Sequence, residues 1–430
     1  MDKKLKILII GAGGGREHAI GWQIAQSPRA GKLFFARGNA GTAQIGTNLD
    51  IKETEILKLL KFAKQEKIDL TLALSDDPLA LGIVDKFKKA GLRIFGPTKA
   101  AARLEWSKAF AKSFMKRHKL PTAKFKTFTD YNQAKKYLTG LSLQNLPIVI
   151  KASGLALGKG VVICQTMKGA QKVLENIMLK KVFGKAGSEI VIEEFLTGPE
   201  ISTHAFSDGK TYSIFPVTQD HKKIGENDTG PNTGGIGTIS PLPFATEKII
   251  KKIEKEIIAP TLKGMVNKKA PFKGVLYPGL ILTANGPKIL EYNTRFGDPE
   301  AQTYMRLLET DLLDIVDACI DRKLKEIKIK WKKVAACNIV LCSAGYPGNY
   351  EKGKVISGIK EAEKDHKVVV FHAGTIMKDG KLVTNGGRVL GVSATGNNLK
   401  EALATAYEAI SKIHFEGMYY RKDIGQKSLL

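Results

Sequence analysis

One stretch in the second half of the sequence combines a carboxylate, an amide and a guanidinium in an order that suits phosphoryl chemistry. Residues 288–293 have the pattern of a β-strand and follow the turn signal Asn-Gly-Pro at 285–287. Because side chains alternate between the two faces of a strand, Glu291, Asn293 and Arg295 are expected to point the same way. Carboxylate and amide oxygens suit Mg²⁺, and an arginine beside them can hold a phosphoryl group. The plainer alternative is the polar face of an edge strand.

A glycine-rich loop near the N-terminus could hold an anion. An apolar strand at 6–10 is followed by Gly-Ala-Gly-Gly-Gly-Arg-Glu-His at 11–18 and by a helix through Ala25. Backbone N–H groups of such a loop, together with the helix N-terminus, favour a bound anion. The dinucleotide fingerprint requires a glycine where this chain has Arg16, so a phosphate monoester is favoured over NAD. A merely structural turn remains the alternative.

A second glycine-rich loop lies between two predicted strands. Ser-Gly-Leu-Ala-Leu-Gly-Lys-Gly occupies 153–160, with strands at 147–152 and 161–163. Such a flap can close over a polyphosphate. It is not a Walker A loop, because its spacing is one residue short and Gly160 stands in place of Ser or Thr. A plain hairpin is the alternative.

Two further segments could contact a nucleotide or a substrate. A predicted strand at 190–196 runs into Thr-Gly-Pro-Glu at 197–200, where backbone groups could pair with adenine and a carboxylate could hold ribose. An ordinary strand end is the alternative. Residues 217–240 are rich in glycine and small hydroxyl side chains, and we expect a long structureless loop of functional importance. His221 within it, taken alone, is more often structural than catalytic.

The composition excludes several classes of protein. The 430 residues carry a net charge of +26, but the lysines are spread at helical spacing, and no arginine-rich arm is present, so we expect no nucleic-acid partner. The four cysteines lack a zinc spacing and are expected to be buried free thiols. No apolar run approaches the roughly 20 residues of a membrane span. The first residues lead directly into a strand, so we expect no signal peptide and a cytoplasmic location.

The pattern of elements predicts a multidomain α/β protein. Alternating strands and helices through about the first hundred residues indicate a doubly wound α/β domain. A long helix at 100–119, a hairpin at 276–293 and a helix at 303–321 are expected in an α+β centre, and three strands with a last helix at 399–413 in a small C-terminal α+β domain. We place the domains at 1–104, 105–329 (with a flexible subdomain at about 122–194) and 330–430.

Several segments together resemble one family. Residues 219–240, the Phe-Lys-Gly-Val-Leu-Tyr at 272–277 and residues 291–300 strongly resemble the phosphoribosylamine–glycine ligases, also called glycinamide ribonucleotide synthetases, of the ATP-grasp superfamily. The resemblance extends over essentially the whole chain, from Gly-Gly-Gly-Arg-Glu-His-Ala at 13–19 to Asn-Gly-Gly-Arg-Val-Leu at 385–390 and beyond. It implies an ATP-grasp fold at the centre of the chain.

The resemblance also implies an activity in de novo purine biosynthesis. ATP would phosphorylate the carboxylate of glycine, and the amine of 5-phosphoribosylamine would attack the acyl phosphate, releasing ADP and phosphate. One or two Mg²⁺ or Mn²⁺ ions would bridge the ATP phosphates. The partners would be these small molecules, and the chain would be a monomer or a loose dimer.

Individual site residues are implied by the same resemblance. The magnesium ligands would be Glu291 and Asn293, and catalytic roles would fall to Arg295, Asp220 and Lys151. The residues implied for ATP binding are Lys108, Lys151, Gly154, Gly158, Lys159, Gly160, Glu193, Glu194, Leu196 and Glu200. The residues implied for binding glycine and phosphoribosylamine are Gly14, Gly15, Arg16, Glu17, Asn39, Gly41, Thr42, Asp220, His221, Pro231, Asn232, Thr233, Gly234, Gly235 and Asp298.

The chain departs from the family pattern in places, and other functions compete. Ser153 stands where the phosphate loop usually has Asp, and Ser-Asp-Asp at 75–77 replaces the usual Gly-Pro-Glu. Another ATP-grasp ligase would share the lysines and the Glu-x-Asn pair but would lack the segment 220–237. A noncatalytic binding protein would show salt-sensitive affinity for polyanions and no ADP production.

Overall fold

The N-terminal part is a five-stranded parallel sheet with helices on both sides. The computed structural model of the chain describes residues 4–156 and 160–429. The strand order is β3-β2-β1-β4-β5, and β1 is almost wholly apolar because both faces of a central parallel strand are covered. The elements are β1 (Leu5–Ile10), α1 (Gly15–Ala25), β2 (Ala30–Ala36), α2 (Thr42–Ile45), β3 (Thr47–Asn48), α3 (Ile56–Gln65), β4 (Leu70–Ala73), α4 (Asp76–Ala80), α5 (Ile83–Lys89) and β5 (Ile94–Phe95). The predicted doubly wound domain is confirmed.

The predicted long helix at 100–119 is wrong, because two helices stand in its place. They are α6 (Lys99–Trp106) and α7 (Lys108–Arg117), and Ser107 between them has extended backbone angles, φ −134° and ψ 98°. The Ser107 hydroxyl accepts a hydrogen bond from the Phe110 N–H and so caps α7. The Lys108 N–H donates to the Ser153 carbonyl at 2.8 Å. This interruption joins α7 to the loop that follows β7.

A four-stranded antiparallel sheet lies within the residues predicted to form a subdomain, and the flexibility of this subdomain stays a prediction. Its strand order is β6-β9-β7-β8, and two helices pack on it through a core of its own that includes Ile148, Ile192 and Leu174. The elements are β6 (Phe125–Phe128), α8 (Tyr131–Thr139), β7 (Ile148–Ala152), β8 (Val161–Cys164), α9 (Met167–Met178) and β9 (Ile190–Glu194). The glycine-rich loop predicted at 153–160 lies between β7 and β8, but its residues 157–159 fall outside the described part of the chain.

A second sheet and two helices complete the central part. The elements are β10 (Glu200–Ser202), β11 (Ala205–Asp208), β12 (Tyr212–Ile214), β13 (Gln219–Asp220), β14 (Lys223–Gly225), β15 (Thr229–Asn232), β16 (Gly237–Ser240), α10 (Glu247–Ile253), α11 (Ala259–Asn267), β17 (Lys273–Thr283) and β18 (Gly286–Asn293). Strand β17 pairs with β10, β11 and β18, so the predicted hairpin at 276–293 is confirmed. The turn between β17 and β18 places the polar residues of β18 opposite the subdomain.

The expectation of a structureless loop at 217–240 is wrong. Strands β14 and β15 form a hairpin, while β13 and β16 pair with each other. Strand β16 also pairs with β19 of the C-terminal part, from Gly237 opposite Ile339 to Ser240 opposite Ala336. The segment is ordered by a partner strand about a hundred residues further along the chain, which its own periodicity does not reveal.

The C-terminal part is a small α+β unit, as predicted. Its sheet has the order β13-β16-β19-β23-β20. The remaining elements are α12 (Glu300–Leu307), α13 (Leu312–Asp321), β19 (Ala335–Cys342), α14 (Ile359–Ala362), β20 (Val368–His372), β21 (Thr375–Lys378), β22 (Lys381–Thr384), β23 (Arg388–Gly396), α15 (Leu399–Ile410) and α16 (Gln426–Leu429). The predicted single helix at 303–321 is wrong, because the chain is extended at Leu308 and Asp311 caps α13. The domain boundaries at 104 and 329 stay predictions.

The structure bears on two expectations drawn from composition, which concern the cysteines and membrane-spanning helices. The four cysteines are buried free thiols, as expected. In the part of the chain that the structure describes, no helix is both long enough and apolar enough to cross a lipid bilayer.

The interruption at Ser107 leads to a prediction about stability. S107A removes the cap of α7 and is expected to lower the free energy of unfolding by about 1 kcal/mol. The measurement is equilibrium unfolding in urea, monitored by circular dichroism. S113A is the matched control, because Ser113 is exposed on the same helix. Equal stability of the two variants would contradict the assigned cap.

Candidate active site

A cleft of about 310 Å³ opens where the subdomain sheet, the β17–β18 hairpin and the segment 220–234 meet. Charged and amide side chains from all three line it. The sequence-predicted site residues that line it are Lys108, Lys151, Gly160, Glu193, Glu194, Leu196, Glu200, Asp220, Asn232, Thr233, Gly234, Glu291, Asn293, Arg295 and Asp298. The fold therefore gathers into one cleft residues that lie far apart in the sequence.

The face of β18 offers oxygen ligands that fit a divalent metal. The Glu291 carboxylate accepts no hydrogen bond from the residues at 4–156 and 160–429. Burial would raise the pKa of Glu291, but Lys222, Lys108 and other nearby cations hold it below its usual value. The Asn293 amide oxygen accepts one hydrogen bond, from Arg295 Nη2 at 3.1 Å, which leaves a second lone pair. These are the donors that Mg²⁺ prefers.

A metal bound here would need further ligands. Among the described residues, no group of three or more His, Cys, Asp or Glu side chains could hold a metal ion. Mg²⁺ is commonly held by one or two carboxylates and the phosphates of a substrate. Glu291 and Asn293 fit that arrangement, and a nucleotide in the cleft would complete the coordination.

Arg295 is held by Glu105, a residue to which the sequence analysis gave no role. Glu105 Oε1 lies 2.9 Å from Arg295 Nη2, and Glu105 Oε2 accepts both the N–H and the hydroxyl of Thr294 at 2.8 Å. Burial would lower the pKa of Arg295, but Glu105 keeps it above its usual value. Glu105 and Thr294 are 189 residues apart, and no local signal in the sequence links Glu105 to this segment.

Lys151 and Glu193 form a buried cluster with a third residue that the sequence analysis missed. The two oxygens of Glu193 lie 2.5 Å from Lys112 Nζ and 2.5 Å from Lys151 Nζ. Lys151 also donates to the Leu290 carbonyl at 3.1 Å. A contact of Glu193 with adenine stays a prediction, and in the structure each of its oxygens faces a lysine.

The end of β9 presents free backbone groups at the cleft. In the described parts of the chain, the Leu196 N–H and carbonyl make no hydrogen bond, so they remain able to pair with an adenine edge. Glu194 accepts the Lys124 N–H at 2.9 Å. Glu200 lies 3.0 Å from Lys222 Nζ, and this carboxylate raises the pKa of Lys222. Lys222 is a further cation of the cleft that the sequence analysis missed.

Two further carboxylates, Asp220 and Glu300, lie close together in the cleft. Burial and the neighbouring Glu300 raise the pKa of Asp220 well above its usual value, and Asp220 Oδ1 is buried without a hydrogen-bond partner among the described residues. Glu300, which sequence reasoning missed, accepts the Tyr277 hydroxyl at 2.5 Å and the Ser202 hydroxyl at 2.8 Å. A carboxyl group with a raised pKa is suited to proton transfer.

The C-terminal part contacts two cleft-lining residues, Gly234 and Asp298, through Arg388. Its Nη1 donates to the carbonyls of Gly234 and Asp298 at 2.7 Å each, and its Nη2 lies 3.2 Å from Asp298 Oδ2. Burial would raise the pKa of Asp298, but Arg388 and Arg16 keep it below its usual value. Gly235 has φ 100°, and a Cβ there would lie 2.6 Å from Asp220 Oδ1, so glycine is required. Arg388 belongs to a motif of the resemblance, but no role was assigned to it.

Other sequence-predicted residues do not line the cleft: Gly14, Gly15, Arg16, Glu17, Asn39, Gly41, Thr42, Gly154, His221, Pro231 and Gly235. Gly158 and Lys159 lie outside the described residues.

His221 does not line the cleft, and its predicted part in the glycine pocket stays a prediction. Its Nδ1 donates to the Gly237 carbonyl at 3.0 Å, and its Nε2 accepts the Gly425 N–H at 3.1 Å. Burial lowers the pKa of His221 to about 4. This neutral ring joins β13 and β16 to the C-terminal segment, so its role in the structure is in packing.

The start of α1, where an anion cradle is expected, makes contacts within the protein, and its binding of phosphoribosylamine stays a prediction. Arg16 is 7% exposed, and its guanidinium donates to Glu17 at 2.8 Å and to the Phe296 carbonyl at 3.2 Å. Glu17 also accepts the Gly14 N–H at 2.7 Å, and Asp298 accepts the Arg16 N–H. Side chains of the protein itself therefore occupy this helix N-terminus.

The loop at 39–42 also makes hydrogen bonds within the protein. Asn39 Nδ2 donates to the His372 carbonyl at 2.8 Å, and its Oδ1 accepts the N–H groups of Gly41 and Thr42 at 2.9 and 3.0 Å. These contacts shape the loop and fasten it to the C-terminal part. Binding of phosphoribosylamine by these residues stays a prediction.

Ser153, a departure from the family pattern, has an identifiable role. Its hydroxyl accepts the Ala109 N–H at 3.1 Å and donates to Glu189 Oε2 at 3.2 Å. A carboxylate is therefore present near the start of α7 even though Asp is absent at 153.

The comparisons with known proteins agree on one family. Three models of phosphoribosylglycinamide synthetase match in chain order: the N domain over residues 5–105, the ATP-grasp (A) domain over 106–301 and the C domain over 336–427. The phosphoribosylamine–glycine ligase of Vibrio vulnificus is 47% identical over 428 residues, 99% of each chain. That of Haemophilus influenzae is 48% identical over 429 residues, again 99% of each.

Solved structures give the same picture. The crystal structure of a phosphoribosylamine–glycine ligase from Thermotoga maritima has a TM-score of 0.83 at 35% identity, covering 97% of this chain and 100% of that one. The biotin carboxylase domain of a Hydrogenobacter thermophilus enzyme, solved with MgADP, has a TM-score of 0.73 at 15% identity, covering 98% and 92%, and this likeness shows the fold alone. The chain belongs to the phosphoribosylglycinamide synthetase family and is an ATP-grasp ligase.

Proposed function

We propose that the chain joins glycine to 5-phosphoribosylamine with ATP, giving glycinamide ribonucleotide, ADP and phosphate in purine biosynthesis. The observation that carries this proposal is the single cleft in which Glu291, Asn293 and Arg295 face Lys108 and Lys151. Relatives named for this activity match the chain over 99% of its length. Hard oxygen ligands, cations and a proton acceptor in one cleft fit phosphoryl transfer followed by acyl transfer.

In the first step, a carboxylate oxygen of glycine attacks the γ-phosphorus of ATP. A phosphorus–oxygen bond forms, the bond from the γ-phosphorus to the bridging oxygen breaks, and ADP leaves. Arg295, held by Glu105 and by Asn293, is placed to stabilise the charge on the transferring group. Lys108 and Lys151 hold the phosphates, so the protein contributes mainly positioning and charge neutralisation.

In the second step, the amine nitrogen of phosphoribosylamine attacks the acyl carbon of glycyl phosphate. A carbon–nitrogen bond forms, the bond from carbon to the phosphate oxygen breaks, and inorganic phosphate leaves. The nitrogen loses a proton, which we assign to Asp220, because Asp220 lines the cleft and its Oδ1 has no hydrogen-bond partner among the described residues. Lys222 and Arg388 surround this part of the cleft and balance its carboxylates.

A divalent cation, Mg²⁺ or Mn²⁺, would be held by Glu291 and Asn293, where it would neutralise phosphate charge. We also propose a cytoplasmic monomer or loose dimer that acts on small molecules. The even spread of exposed lysines, without an arginine-rich arm, supports the absence of a nucleic-acid partner.

The activity is tested by following ADP release with Mg²⁺, ATP, glycine and freshly generated phosphoribosylamine. We expect ADP only when all four are present, because the two steps form one coupled reaction. Omission of each component in turn is the control. Bound ATP without ADP release in the complete mixture would overturn the proposed activity and leave the ATP-grasp fold intact.

The metal site is tested by E291Q, which removes the charged ligand but keeps the side-chain volume. We expect at least a hundredfold loss of ADP release, with an unchanged circular dichroism spectrum, because the phosphate charge is no longer neutralised. The matched control is E256Q, since Glu256 is exposed away from the cleft. Chelation by EDTA should stop the wild-type reaction, and excess Mg²⁺ should restore it. Turnover by E291Q at the wild-type rate would remove Glu291 from the metal site.

The positioning of Arg295 is tested by E105Q. We expect kcat to fall ten- to a hundredfold, an order of magnitude typical of losing the partner that orients a functional group, with the KM for ATP nearly unchanged. Initial rates over a matrix of ATP and glycine concentrations separate the two constants. E256Q, at an exposed site away from the cleft, is again the control. A rise in KM with unchanged kcat would show that Glu105 does not act through Arg295.

A further inference from the structure

Lys112 is a buried lysine for which the proposed mechanism has no use. It lies on α7 and its side chain is only 2% exposed. Its Nζ lies 2.5 Å from Glu193 Oε2 and donates to the Thr122 hydroxyl at 2.8 Å. Burying a lysine is costly unless it is paired. Its burial beside the nucleotide side of the cleft therefore needs a compensating role or partner.

The partner carboxylate is shared with Lys151, and this sharing sets the local charge. Glu193 has one negative charge, and its two oxygens face Lys112 and Lys151. Although burial opposes it, the two lysines hold the pKa of Glu193 below its usual value. Two ammonium groups on one carboxylate leave one net positive charge. Without Lys112, Glu193 and Lys151 would form a neutral pair.

The same cluster joins the three elements that border the nucleotide side. Lys112 belongs to α7, whereas Glu193 and Lys151 belong to β9 and β7 of the subdomain sheet. The Thr122 hydroxyl, which accepts from Lys112, donates to the Ile289 carbonyl at 2.7 Å. Lys151 donates to the Leu290 carbonyl at 3.1 Å. The cluster thus fixes Lys151 against the strand that carries Glu291.

We propose that Lys112 is a positioning residue for nucleotide binding, which shares the charge of Glu193 so that Lys151 keeps its own positive charge available for the ATP phosphates. This inference rests on the proposed ATP site and deepens it. Burial, only partly offset by Glu193, lowers the pKa of Lys112 to about 8, which agrees with a cluster that holds one cation more than its carboxylate needs.

A purely structural ion pair would behave differently. If Lys112 served only to satisfy Glu193, its loss would reduce stability without a preference for one substrate. If Lys112 acts through Lys151, its loss weakens binding of the nucleotide and leaves binding of the other substrates unchanged. The neutral pair left behind in K112M is compatible with burial, and methionine fills a similar volume, so the variant is expected to fold.

The test compares K112M and K112R with wild-type protein and with K116M. Lys116 is exposed one turn further along α7, so K116M is the matched control. ADP with Mg²⁺ is the probe, and isothermal titration calorimetry gives its Kd directly. Initial rates give the KM for ATP and for glycine. We expect K112M to raise both the Kd for ADP and the KM for ATP about tenfold or more, the order for loss of a charged hydrogen bond. The KM for glycine should stay within about twofold, and K112R should restore most of the affinity.

Two outcomes would overturn the inference about Lys112. Wild-type ADP affinity in K112M overturns the inference, and so does a K112R variant as weak as K112M, because charge would then not be the cause. If K112M does not fold, K112Q, which keeps a donor for Thr122 without the charge, makes the same comparison. Tight ADP binding by wild-type protein without ligation would overturn the proposed function and leave the role of Lys112 standing.

Discussion

The interruption of one helix at Ser107 is the constraint on which the cleft depends. In a continuous helix the Lys108 N–H would bond to the carbonyl four residues earlier, but here it is free to donate to the Ser153 carbonyl. The end of α6 then delivers Glu105 to Arg295, and the start of α7 delivers Lys108 and Lys112 to the nucleotide side. The cap at Ser107 offsets part of the free-energy cost of this break, because it satisfies a helix N–H that would otherwise be unpaired.

Charge is distributed unevenly across the cleft, and the distribution matches the proposed chemistry. On the nucleotide side, the single carboxylate of Glu193 is shared by two lysines, Lys112 and Lys151. The substrate side holds several carboxylates, and Arg388 from the C-terminal part fixes the loop that borders them. Dipoles and charges that are already in place before the reaction cost no reorganisation during it. The two sides thus separate phosphoryl transfer from proton transfer within one cleft.

Local patterns were enough to predict the face of β18 and the doubly wound domain, because alternation is a property of neighbouring residues. The family was predicted from the resemblance of several sequence motifs to those of known ligases. Glu105 as a partner of Arg295 and Lys112 as a partner of Glu193 could not be predicted, since each pair is far apart in the chain. The order within 217–240 was missed for the same reason, because β16 pairs with β19. The contact of Arg16 with the Phe296 carbonyl could not be predicted either, because it depends on tertiary packing.

The most direct test of the account is the position of Mn²⁺, found by its anomalous X-ray scattering, in crystals of the chain grown with a non-hydrolysable ATP analogue. We predict a metal peak at Glu291 and Asn293, with the triphosphate between that peak and Lys108 and Lys151. The Glu105–Arg295 pair should be retained. A metal held only by Asp220 and Glu300, or a nucleotide bound outside this cleft, would contradict the assignment of the site.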